Sequence, residues 1–458
     1  MQEVLTIEKE LANRYFYPKA MLIAIPIALQ QFVNSALNMS DTFMVGQLGD
    51  AAVAAVGISN QFFFFLLLFL IGLNAGGAVF MSQLFGAGDK VGIQKVFRLI
   101  SLIGVVLMTA GALAAFFGGS FIAGLYSKDL EVIGLANDYL KVVAFAYTTQ
   151  AISFACSTSF RSTGKASVAM RISVLAIGMN ILLNYIFIFG KLGFPAMGVE
   201  GSALGTAIAR LAEMLGLLAV TVRYKEHLFG IWQKNVKISK DFYLQFLRIT
   251  APVFLNDGLW GIAFNVCTMA YARIGTAAMA AVQITRTIEE LLFVVIIGIS
   301  SASAILLAQY IGAGREDIVY RAGKKLAILG LVTGIFAGVI LFSVAPIIVG
   351  IFKVTEATSW NVVTTLRAMA AVQILKYCNI LLITGVLRSG GDTLFAMLVE
   401  TSTMWLIAIP LAFFGAVVLH LPLYQVVLLV AIEEVVKLII VSKRFTSRKW
   451  INNIVGKI

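Results

Sequence analysis

The sequence predicts an all-α integral membrane protein with twelve transmembrane helices arranged as two six-helix lobes. Three observations carry that prediction: composition, the spacing of apolar runs, and an internal repeat. The 458 residues are 60% hydrophobic and only 13% charged. A soluble chain of this size needs far more polar surface. Runs of about 20 apolar residues, the length that crosses a bilayer, fall at 18–44, 53–84, 95–118, 132–160, 166–189, 199–222, 243–271, 277–309, 321–346, 358–386, 393–416 and 422–442. Lipid offers no partner to backbone polar groups, so each run is expected to be helical.

The net charge of +12 is read as an orientation signal and not as a nucleic-acid surface. Basic residues crowd one set of connections: Lys9, Arg14 and Lys19; Lys90, Lys95 and Arg98; Arg161, Lys165 and Arg171; Arg223, Lys225, Lys234, Lys237, Lys240 and Arg248; Arg315, Arg321, Lys324 and Lys325; Arg388; and Lys443, Arg444, Arg448, Lys449 and Lys457. The opposite connections carry only Lys128, Lys191, Arg273 and Lys353. The positive-inside rule then places both termini and the connector 223–242 in the cytoplasm. The N-terminal segment MQEVLTIEKE lacks a basic leader and a small-residue cleavage site, so no cleaved signal is expected. Cys156, Cys267 and Cys378 each lie within an apolar run, where cysteine behaves as a small hydrophobe.

The two halves align at an offset near 226 residues. AIPIALQQ matches TAPVFLND, which sets Pro26 over Pro252 and Gln31 over Asp257; SQLFGAGDK matches AQYIGAGRE; FRSTGKAS matches LRSGGDTL. The expected organisation is a first lobe over 1–222, the connector 223–242, a second lobe over 243–442 and a basic tail over 443–458. Six spans per half make the repeats parallel, a plan known from transporters, with the substrate path expected between the halves near the midplane.

Charges inside a bilayer are costly and need a partner or a function. Most acids have a base three or four positions away on the same helix face: Asp138 has Lys141, Glu213 has Arg210, Glu289 and Glu290 have Arg286, and Glu433 and Glu434 have Lys437. Asp41, Asp257 and Glu400 have none. Across helices, Lys376 and Arg367 lack a partner on their own span, and Lys376 is an alternative partner for Glu400. Asp257 follows Pro252 by five residues. Proline frees a carbonyl near that depth, and with Asn256 the group offers oxygen ligands to a hard cation, which makes Asp257 the candidate Na⁺ ligand or proton carrier. Gln31 and Asn34, near Pro26, and the pair Asn180 and Asn184 either line the path or join helices by hydrogen bonds. Trp260, one turn from Asp257, is placed to stack on a flat cation. Tyr377 and Asn379 in the tenth span are further candidates for the cavity wall. No HExxH, P-loop or dinucleotide signature is present, and neither His227 nor His420 has a zinc-like neighbour set. No enzyme and no resident cofactor are expected, and ion gradients remain as the energy source.

The runs SDTFMVGQLGDAAVAAVG, SQLFGAGD, MNILLNYIFIFG, LNDGLWG, TIEELLF, AQYIGAGRED and VLRSGGDT together resemble the multidrug and toxic compound extrusion family, over nearly the whole chain. The resemblance implies two six-helix lobes forming a V around a central cavity, in the bacterial cytoplasmic membrane. It implies antiport of Na⁺ or H⁺ against small organic, often cationic, compounds. By position it makes Asp41 the first-lobe acid and Asp257 the acid of the seventh helix, usually Glu in the family. Glu400 stands where this branch often has Asp, and Glu289 falls on a commonly acidic position. Two departures stand out: Asn184 replaces a second acid of the fifth helix, and the tenth helix carries Arg367 and Lys376 but no acid. A monomer is expected, since the cavity is built within one chain. The alternatives are a lipid-linked precursor flippase of the same superfamily, which calls for a wide basic cavity, and, from another class, a channel or non-transporting receptor.

Overall fold

The computed structural model describes residues 13–223, 237–350 and 355–455. Lys9, Lys225, His227, Lys234, Lys353 and Lys457 lie outside the described residues, as does most of the connector. Within them the regular secondary structure is entirely helical. In order the helices are α1 (Asn13–Gly46), α2 (Asp50–Gly86), α3 (Lys90–Gly124), α4 (Leu130–Ser162), α5 (Ala166–Phe189), α6 (Gly198–Arg223), α7 (Lys240–Ala272), α8 (Thr276–Gly312) and α9 (Glu316–Val349). They continue with α10 (Glu356–Gly390), α11 (Thr393–Val418) and α12, which breaks at Ala431 between Leu423–Val430 and Ile432–Thr446. Each coincides with one predicted run; α5 matches its run end to end, and the others extend beyond theirs at one or both ends, as tilted spans do. By length and composition, nine of the described helices are long and apolar enough to cross a membrane. The other three are α4, α7 and α12. Asp138, Lys141 and a run of hydroxyls and amides dilute the apolar character of α4; Asp241, Arg248 and Asp257 dilute that of α7; and α12 is split, with Glu433, Glu434 and Lys437 just past the break.

The internal repeat is visible in the turns. The turn after α2 contains Gly88 (φ 75°) and the turn after α8 contains Gly314 (φ 72°), both left-handed. In each, the next amide reaches back to the helix: Asp89 N to Leu84 O at 2.9 Å and Arg315 N to Tyr310 O at 2.9 Å. Only glycine adopts that conformation without a Cβ penalty. Packing repeats as well: α3 lies along α4 as α9 lies along α10, and α4 meets α6 as α10 meets α12.

Compactness divides the chain inside two helices. One unit, here the amino unit, comprises residues 29–254; the carboxy unit comprises the described residues up to Ala28 together with those from Leu255 onward. Each crossing falls two residues after a helix proline, Pro26 in α1 and Pro252 in α7. Glycines explain the exchange. In the amino unit, a Cβ on Gly72 would stand 2.8 Å from Phe254 Cα and one on Gly76 would stand 2.7 Å from Thr250 Cα, so α2 accepts the first half of α7 backbone to backbone. In the carboxy unit, Gly298 of α8 meets Ala24 and Ala28 of α1 in the same way.

Candidate functional site

In the carboxy unit, α7, α10 and α11 bring three charges to one point. Arg388 Nη2 lies 2.8 Å from Glu400 Oε2 and 3.3 Å from Asp257 Oδ1. Asn256 Nδ2 donates to Glu400 Oε2 at 2.8 Å and to Asp257 Oδ1 at 3.3 Å. The Arg388 side chain is 7% exposed and each carboxylate 18%. Two carboxylates share one guanidinium, so the cluster carries one uncompensated negative charge when both acids are ionised. Such a charge in low dielectric calls for a counter-ion or a proton. The carboxylate oxygens and the Asn256 amide oxygen, which accepts from Thr401 Oγ1 at 3.4 Å, are the hard oxygen ligands suited to Na⁺. Among the described residues no group of three or more His, Cys, Asp or Glu side chains forms a metal site.

Arg388 is the residue that sequence reasoning missed. It lies just past the predicted tenth span, where the sequence reads it as an orientation marker, but its side chain turns to the acids. The signal was available: Asp257 and Glu400 lacked a base, and the VLRSGGDT run supplied an arginine beside a glycine turn. Lys376, the alternative partner of Glu400, instead donates to Glu289 Oε1 at 2.5 Å. Arg286 then pairs with Glu290, at 3.1 Å, and not with Glu289.

A cavity of about 180 Å³ opens in the same unit. Its apolar wall includes Trp260, Phe264 and Met404, and its polar wall holds Glu289, Lys376 and Glu433 with Lys437. Trp260 stacks on Phe264 with ring centroids 5.5 Å apart, and the Arg286 guanidinium lies 4.8 Å from the Phe264 ring centroid. Lys437 contacts Glu433 at 2.7 Å and Glu434 at 3.5 Å. Trp260 and Glu289 therefore line this cavity. Tyr377 is turned away, its hydroxyl donating to the Leu292 carbonyl at 2.9 Å, and Asn379 is buried, donating to Glu434 Oε2 at 2.6 Å.

In the amino unit, Asp41 Oδ1 accepts from Asn184 Nδ2 at 2.8 Å; Asn184 also donates to Asn180 Oδ1 at 3.1 Å, and Asn180 to Thr206 Oγ1 at 3.2 Å. This chain links α1, α5 and α6. The close approach of α6 depends on Gly205, where a Cβ would collide with Asn184 Oδ1. A second chain runs from Gln30 through Ser173 to Glu213, at 2.8 and 2.6 Å, and Glu213 is held by Arg210 at 2.9 Å. Gln31 and Asn34 contact each other at 3.4 Å on α1.

The MatE family model matches residues 26–186 and 252–414. YisQ of Bacillus subtilis, an uncharacterized transporter, is 26% identical over 436 residues, covering 94% of this chain and 93% of its own. The Thermotoga maritima protein named "Probable multidrug resistance protein NorM" is 27% identical over 425 residues, covering 90% of this chain and 86% of its own. Among solved structures, an outward-facing multidrug resistance MATE family transporter of the MOP superfamily matches with TM-score 0.84 at 19% identity, over 94% of this chain and 96% of that one. MATE in the straight conformation matches with TM-score 0.84 at 21% identity, over the same shares. These structural likenesses establish the fold. With the family match falling once on each half of the repeat, the chain belongs to the MatE family and is a multi-pass membrane transporter.

Proposed function

We propose that the protein is a secondary antiporter that exports small organic, often cationic, drug-like compounds in exchange for Na⁺ or H⁺, and that Asp257 and Glu400, braced by Arg388, bind the coupling cation. The observation that carries this reading is the single negative charge left over when two largely enclosed carboxylates, each 18% exposed, share one guanidinium. A cation or proton arriving there completes the charge balance, and its departure restores the deficit. That alternation supplies the differential affinity through which a ligand shifts a conformational equilibrium. The aromatic face of Trp260 and Phe264 gives the compound a stacking surface within one or two helical turns of Asp257. Exchange of one monovalent cation for another moves no net charge, so the ion's concentration gradient drives it; a second coupling ion adds about 2.3 kcal/mol per 100 mV.

The cytoplasmic placement of both termini rests on the basic connections, and the monomer on a site built within one chain. A lipid-linked precursor would need unpaired bases for its pyrophosphate. In the carboxy-unit cavity, Lys376, Lys437 and Arg286 are each paired with an acid. The test is efflux of a fluorescent organic cation from proteoliposomes under imposed Na⁺ or H⁺ gradients. Asp257→Asn should abolish the ion dependence. Full ion-dependent efflux in that variant sinks the assignment.

A further inference from the structure

The residues after α12 fold back onto the exit of α10. Arg448 has φ 57° and turns the chain. Trp450, fully buried, donates its indole N–H to the Phe445 carbonyl at 3.1 Å and stacks on the Phe445 ring at 5.9 Å. Phe445 in turn stacks on Tyr320 of α9, and Arg448 lies 4.2 Å from the centroid of that same ring. Asn452 N donates to the Gly390 carbonyl at 3.1 Å, and Asn453 Nδ2 donates to the Ile311 carbonyl of α8 at 3.1 Å. A Cβ on Gly390 would stand 1.9 Å from Trp450 O, and the Ile454 side chain covers Gly391. Arg444 grips Asp392 through two bonds, at 2.7 and 3.0 Å. The turn that carries Arg388 is thus held on its far side by residues 444–454.

We infer that this strap is a positioning device for Arg388, and through it sets the cation affinity of the Asp257–Glu400 pair. The inference rests on the coupling role proposed for that pair. An arginine side chain has several rotatable bonds, and its reach to two carboxylates depends on where its Cα is fixed. Residues 388–390 form a short tight turn after a stretch of loosened π-helical backbone, Leu381–Leu387. α8 packs on one side of this stretch, where Gly385 meets Ser300 and Ser303, and the ring stack of Tyr320, Phe445 and Trp450 braces the turn from the other. When the strap loosens, Arg388 withdraws, two negative charges face each other in place of one, and the site holds a cation more tightly and releases it more slowly.

The test measures efflux from proteoliposomes against Na⁺ and H⁺ concentration for Trp450→Ala, Trp450→Phe and Gly390→Ala, with Asp257→Asn alongside. Trp450→Ala and Gly390→Ala should lower the half-maximal cation concentration by roughly threefold or more, as a partly lost neighbouring charge does, and lower the maximal rate. Trp450→Phe should restore both, because it keeps the ring. The half-maximal concentration does not depend on how much protein folds, so a loss of yield does not mask it. An unchanged or raised value in both the Trp450→Ala and Gly390→Ala proteins, with Asp257→Asn still uncoupled, overturns the strap and leaves the coupling site standing. Intact coupling in Asp257→Asn overturns the coupling site and the strap with it.

Discussion

The two units keep their membrane acids in different company. In the amino unit Asp41 accepts from a neutral amide, Asn184, while the nearby base Arg210 is engaged by Glu213. In the carboxy unit Asp257 and Glu400 lean on a guanidinium. The scaffolds repeat, yet Gln31 stands where Asp257 stands one repeat later. The difference teaches that an internal duplication can preserve turns and helix pairings while its polar positions diverge. An amide partner keeps its geometry whether the acid is charged or not; an arginine partner makes the fold depend on charge.

That contrast can be broken most forcefully at Arg388. Arg388→Gln leaves two carboxylates without their base and should destabilise the protein by about 3–5 kcal/mol, the cost of stranding a buried charge. Thermal melting in detergent reads it, and adding Glu400→Gln should recover much of the loss. Next in size is Gly205→Ala, which drives a methyl into the Asn184 amide and should cost about 1–3 kcal/mol in the same assay. Lys376→Met strands Glu289, a partly solvated acid. Its cost should be about 1–2 kcal/mol, with a double-mutant cycle through Glu289→Gln showing strong coupling. The smallest effect belongs to Asp41→Asn. Because its partner is neutral, melting should move by less than about 1 kcal/mol, and any loss of efflux then reports function and not folding. A large drop in stability there would erase the distinction between the units.

The helices were legible because lipid forces every long apolar run into one conformation. The repeat was legible because glycine turns such as Gly88 and Gly314 tolerate few substitutes. Intrahelical pairs could also be read: Arg210 with Glu213 and Lys437 with Glu433 follow from spacing alone. Pairs between helices could not. Spacing assigned Glu289 to Arg286, but α10 delivers Lys376 to it, and periodicity along one helix says nothing about which neighbour arrives. Arg388 escaped for a related reason. A count of bases near span ends treats each as a surface mark, although a long side chain can reach well away from its Cα. Tyr377 and Asn379, candidates for the cavity wall, spend their polar groups on Leu292 and Glu434 and belong to the packing.

The exchange of half-helices bears on how the protein is made. A ribosome delivers the chain in order, at about 5–20 residues per second. Ala24 and Ala28 must wait for Gly298, and Gly72 and Gly76 for Thr250 and Phe254. Neither half of the gene product can finish its own core during synthesis, so fragments cut at the connector should be unstable singly and recover only when produced together.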